Sequence, residues 1–106
     1  MKNKERKLSY SKPKLSETDI KRQVIDYLNI HHIFNYGLLQ GIGSYRGLPD
    51  RVIHLNGEVI YLEIKLPTGK MSEWQLAFQE QCKVDGIGYY TIHSLEDLQT
   101  AIEVLK

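Results

Sequence analysis

Asp50, Glu63 and Lys65 are residues whose types and spacing allow them to do chemistry together. Asp50 opens an apolar run that ends at Leu55, and Glu63 and Lys65 close a second run that begins after Asn56-Gly57. An Asn-Gly pair between two such runs signals a two-residue type I′ hairpin turn, because both residues tolerate positive φ. That turn fixes the register: Leu55 faces Glu58, His54 faces Val59, Ile53 faces Ile60, Val52 faces Tyr61, Arg51 faces Leu62 and Asp50 faces Glu63. The last pair is predicted to be non-hydrogen-bonded, with Cα atoms roughly 4.5 Å apart. Carboxylates so opposed repel, and the register implies a cation between them. Lys65, two residues beyond Glu63, projects from the same strand face. Converging carboxylates are the hard oxygen ligands that Mg²⁺ or Mn²⁺ takes, while a neighbouring ammonium can orient or help deprotonate a water. The competing reading is a set of edge charges paired in salt bridges.

The elements that must position these groups follow from periodicity and punctuation. Ser16 reads as the N-cap of a helix over residues 17–29, with Ile20, Val24, Tyr27 and Leu28 inward and Lys21, Arg22 and Asp26 towards water. Glu17 in its first turn complements the helix dipole. His31 and His32 read as a solvated helix end. A strand is expected over 33–39, followed by a glycine-rich loop over 40–47 that leads to Pro49 and Asp50. On the hairpin, Val52, Val59 and Tyr61 share the Asp50/Glu63 face and Ile53, Ile60, Leu62 and Ile64 the other, as in central strands. His54 lies on the site face near the turn, and no ligand role is assigned to it. Ser72-Glu73-Trp74-Gln75 is a capping box for a helix to about Val84, with Trp74, Ala77, Phe78 and Gln81 or Cys82 inward and Asp85-Gly86 as its stop. A last strand over 88–93 and a helix capped by Ser94, with Leu98, Ile102 and Leu105 inward, complete the chain. The order α-β-β-β-α-β-α predicts an α/β sandwich with helices covering a mixed sheet.

Gly47-Leu48-Pro49-Asp50, then Glu63-Ile64-Lys65, then Pro67-Thr68-Gly69-Lys70-Met71-Ser72 with Gln75, resemble the virus-type replication-repair nuclease (VRR-NUC) domain of the PD-(D/E)XK nuclease superfamily. The resemblance extends from about Ser16 to Leu105. It implies a restriction-endonuclease-like fold and a metal-dependent phosphodiesterase acting on DNA, related to archaeal-type Holliday junction resolvases and to the nuclease domain of the Fanconi-associated nuclease. It further implies that Asp50 and Glu63 bind Mg²⁺ or Mn²⁺, with the Ile64 carbonyl as a further ligand, and that Lys65 orients or activates the attacking water. Glu17 matches a glutamate that supports the metal or its water shell. Gln75, on local grounds the capping-box residue, becomes a site-proximal glutamine that helps hold Lys65 or the metal-bound water. Tyr45 and Arg46 in the glycine-rich loop and Lys70 before the second helix are candidate DNA contacts, by stacking and by phosphate binding. Their plainer reading is a loop anchor and two surface cations.

Length and composition bound the rest. The 106 residues form one small domain with ordinary globular fractions, 42% hydrophobic and 25% charged, and no apolar run approaches a membrane span. An intracellular location is expected, in the cytoplasm of a bacterial host or beside its nucleoid given the phage-like replication context of the resemblance. The single cysteine, Cys82, has no partner for an internal disulfide. Net charge is +1, yet residues 1–15 hold six Lys/Arg against one Glu and so carry +5, which leaves −4 for residues 16–106. The expected division is a basic flexible arm over 1–15 and a nuclease domain over 16–106. The arm is either a phosphate grip or a solvated leader. A homodimer presenting two sites is expected for branched or junction DNA, with Tyr89, Tyr90, Ile42 and Leu39 available to its interface. Two other classes fit the same residues less well: a catalytically silent nucleic-acid-binding domain, and a replication accessory subunit.

Overall fold

The computed structural model describes residues 14–106, so the basic arm expected over residues 1–15 lies almost wholly outside the described residues. Ser16 starts α1 (Glu17–Ile30) through a reciprocal capping box: its hydroxyl accepts from the Asp19 N–H at 3.1 Å, and Asp19 accepts from the Ser16 N–H at 2.9 Å. These bonds hold the Asp19 carboxyl below its ordinary pKa. Next come β1 (Phe34–Gly37), β2 (Arg51–Leu55) and β3 (Glu58–Ile64). After them stand α2 (Glu73–Asp85), β4 (Gly88–Ile92) and α3 (Leu95–Leu105). The order is the predicted one. The first strand is shorter than expected at both ends: Ile33 turns into the core with its N–H on the Leu28 carbonyl, and the ladder stops at the Gly37–Arg51 pair, before Leu38 and Leu39.

The sheet runs β1-β2-β3-β4, antiparallel through the first three strands and parallel between β3 and β4. Asn56 and Gly57 adopt φ of 52° and 78°, as a type I′ turn requires. The five hairpin pairs from Leu55–Glu58 to Arg51–Leu62 match the predicted register. On one sheet face, Ile53, Ile60, Leu62, Ile64 and Ile92 pack with Ile20, Val24 and Leu28 of α1 and Leu98 and Ile102 of α3. This is the core, and it holds the hairpin from below.

The other face carries α2, with Phe78 and Cys82 inward as predicted but the helix turned so that Trp74 and Ala77 are not. Trp74 is 47% exposed and Ala77 is exposed, while Gln75, Phe78, Gln79 and Cys82 turn towards the sheet. The reason is the sheet surface beneath: Phe78 packs edge-on against Tyr61 at 5.1 Å between ring centroids and lies 6.2 Å from Tyr89, and Gln75 comes over Glu63. The same packing corrects the interface expectation. Tyr89 lies half-buried under Phe78 and Tyr90 packs against the core, whereas Leu39 and Ile42 are exposed. Cys82 is buried and free, and burial raises its thiol pKa.

Candidate active site

Asp50 enters the site from the loop before β2. Pro49 is fully buried, and the Gln40 amide donates to the carbonyls of Leu48 and Pro49 at 3.1 and 3.4 Å, which fixes the chain just ahead of the acid. Gly47 sits at φ 88°, and a Cβ there would collide with the Trp74 carbonyl at the start of α2. Only glycine satisfies both conditions. The predicted Asp50–Glu63 ladder pair does not form. The ladder stops at Arg51–Leu62, and the Asp50 N–H donates to the Leu62 carbonyl at 3.1 Å while its own carbonyl accepts from the Leu38 N–H at 3.1 Å. Held between β1 and β3 in this way, Asp50 turns its carboxylate so that Oδ2 accepts from the Ile64 N–H at 2.7 Å. The contact observed between Ile64, expected as a carbonyl ligand, and Asp50 is this one through the Ile64 N–H.

Glu63 is 2% exposed, the sole buried charged side chain among the described residues. Its Oε2 accepts from the Gln75 amide at 3.1 Å and lies 3.9 Å from the Lys65 ammonium, while its Oε1 has no hydrogen-bond partner. Burial pushes this carboxyl up to about 7, with the Asp50 charge adding to the rise and Lys65 opposing it. Gln75 is the capping-box residue, and it also reaches the site, but it contacts Glu63 and not the expected Lys65. Its Oε1 accepts from the Ser72 N–H at 2.8 Å to complete the capping box, and its Nε2 is left for Glu63. Lys65 is fixed through its backbone: its N–H donates to the Ile92 carbonyl at 3.0 Å, and its carbonyl lies 3.0 Å from His93 Nδ1. His93, to which sequence assigned no chemistry, is thus a clamp on the lysine's main chain.

Glu17 does not join the two acids directly. Lys21 stands between, with its ammonium 3.3 Å from Glu17 and 3.1 Å from Asp50 Oδ1. Burial acts to lower the Lys21 pKa, but Asp50 and then Glu17 outweigh it and hold the ammonium above its ordinary value. Lys21 is partly exposed, as expected, but its ammonium is engaged by the two acids and is not left to water. Its spacing of four residues from Glu17 was the available signal. Among the described residues, no three His, Cys, Asp or Glu side chains gather into a metal cluster. The donors are two carboxylates, Asp50 and Glu63, and Glu63 brings a buried oxygen without a partner. That set fits Mg²⁺ or Mn²⁺, which take one or two carboxylates and keep several waters.

Of the candidate DNA contacts, Tyr45 is 71% exposed with its ring 6.2 Å from Phe78, and the Arg46 guanidinium lies 4.9 Å over the exposed Trp74 ring. Lys70 is exposed in the link to α2. All three therefore lie near the end of α2 that carries Gln75.

No family model and no curated protein matches the sequence. A solved structure described as a VRR_NUC domain does match, with a TM-score of 0.70 at 20% identity over 82% of this chain and 94% of that one. The fold, a mixed four-stranded sheet between helices, is therefore the α/β sandwich that this VRR_NUC domain has. At this identity the likeness is one of fold, and the chemistry has to be argued from the residues.

Proposed function

We propose that this chain is an Mg²⁺- or Mn²⁺-dependent DNA endonuclease that hydrolyses phosphodiester bonds, with branched DNA as its preferred substrate. The observation that carries the reading is Glu63: a buried carboxylate beside Asp50, with one oxygen lacking a partner and Lys65 at its other oxygen. Burying such a charge is costly unless something compensates it. Asp50 and Glu63 would hold the ion, with the Ile64 carbonyl as a further ligand and Glu17 supporting the arrangement at one remove. When bound, the ion would supply Lewis acidity for the charge that develops on the phosphate.

The chain's own groups do the remaining work. Lys65 orients the attacking water and stabilises negative charge on the phosphate oxygens. The water oxygen forms a bond to phosphorus as the opposite P–O bond breaks in line; of the two water protons, one ends on the leaving oxygen through solvent, giving a hydroxyl end, and the other stays with the phosphate monoester or passes to solvent. Gln75 keeps the Glu63 carboxylate in place, and the Ile64 N–H does the same for Asp50. Tyr45, Arg46 and Lys70 hold the DNA beside the site. Two such sites in a two-fold dimer address both strands of a four-way junction, which is the geometric argument for branched substrates.

The test is cleavage of matched junction, flap and linear duplex substrates in Mn²⁺ and in EDTA, with sedimentation at micromolar protein. Mn²⁺-dependent cutting, fastest on the junction and by a dimer, is expected. Binding of all three without cutting any would identify a silent DNA-binding domain instead. Equal cutting by a monomer would reduce the reading to a general nickase.

A further inference from the structure

Lys21 occupies the solvent side of the acidic site. Its ammonium bridges Glu17 and Asp50, and its side chain is 39% exposed against 15% for Asp50. Because Asp50 Oδ2 is engaged by the Ile64 N–H, Lys21 is paired with the other oxygen, Oδ1. Lys21 also lines a groove of about 320 Å³ that passes Asp50. The groove's other polar side chains are Gln40 and Arg51, both donors, and Arg51 is already tied to Asn35 through Nε at 2.8 Å. Lys21 is therefore the groove's compact, flexible cation, a point charge on a long stem.

We propose that Lys21 is a displaceable counter-cation: it neutralises Asp50 and Glu17 until a divalent ion takes Asp50, and its freed ammonium then binds a DNA phosphate in the adjacent groove. The proposal rests on the metal-dependent reading above and adds a positioning and phosphate-binding residue to it. Without Lys21, Asp50 and Glu17 face each other's charge with less compensation. The acids then attract an added cation more strongly, and the DNA loses one contact.

Two measurements on the full chain test this. Calorimetric titration with Mn²⁺ alone should give about fivefold tighter binding for Lys21→Gln than for wild type, the upper range for a half-exposed ion pair. Fluorescence anisotropy of a labelled duplex, with Ca²⁺ replacing Mn²⁺, should show Lys21→Gln binding about fivefold more weakly. Its log–log salt slope should be shallower by about one, and Lys21→Arg should restore that slope. Mn²⁺ affinity that is equal or weaker in Lys21→Gln overturns the counter-cation, and an unchanged DNA affinity and slope overturns the phosphate contact. If neither wild type nor variant binds Mn²⁺, the metal-dependent reading fails as well, which distinguishes that failure from one confined to Lys21.

Discussion

At the scale of single residues, the account turns on what Glu63 costs. Its ordinary value of 4.5 rises to about 7 in the fold, through burial first and the Asp50 charge second. A carboxyl whose folded pKa is raised contributes stability that is fully present below its unfolded pKa and is lost as pH climbs through the folded one. In EDTA the melting temperature should therefore fall between about pH 4.5 and pH 7, with a free-energy change of up to about 3 kcal/mol. Glu63→Gln keeps an acceptor for the Gln75 amide and removes the titration, so its melting temperature should stay flat across that range and exceed wild type at about pH 8. Parallel melting curves for the two proteins would show that Glu63 does not carry this burden. That Asp50, Glu63 and Lys65 lie near one another was legible in sequence because all three belong to one hairpin, although the Asp50–Glu63 ladder pair itself does not form. Lys21 was not, because its partner Asp50 lies in another element. No local pattern says which face of α1 meets the hairpin's entry.

At the scale of elements, the site depends on the loop before β2 meeting the start of α2. Gly47 makes that meeting close: its φ of 88° and the Trp74 carbonyl beside it leave no room for a side chain. Gly47→Ala should destabilise the fold by about 2 kcal/mol, read by chemical denaturation. Gly57→Ala should cost less: its φ is also positive, at 78°, but no atom lies within 4 Å of its Cβ position. Equal losses would mean that the close approach to α2 carries no weight. The hairpin register was legible over five pairs because Asn56-Gly57 dictates it locally. It departed at Asp50, where the neighbouring strand supplies the Leu38 N–H and the chain stops following β3. The rotation of α2 was hidden for a related reason. Hydrophobicity favoured Trp74 as the inward residue, but a buried carboxylate beneath the helix selects Gln75, and Trp74 turns outward under Arg46.

At the scale of the whole molecule, the strand and helix order was legible because each element carries its own caps and turns, including Ser16, Ser72, Ser94 and the left-handed Gly86. Charge is distributed against the nucleic-acid reading, with +5 in residues 1–15 and −4 in the remainder. If the arm grips phosphates, deleting residues 1–14 should weaken DNA binding and flatten its salt dependence by several counterions, while leaving cleavage at saturating DNA intact. Identical salt slopes with and without these residues would make them a solvated leader. The central claim is that Asp50 and Glu63 form the metal-dependent cutting centre of a domain whose fold tolerates their loss. Its most direct test is the nicking rate of supercoiled plasmid in Mn²⁺ by wild type, Asp50→Ala and Glu63→Ala, each checked for folding by its melting curve. The account predicts nicking by wild type that EDTA abolishes, and a loss of at least about 100-fold in each folded variant. Nicking at the wild-type rate by either folded variant would contradict it.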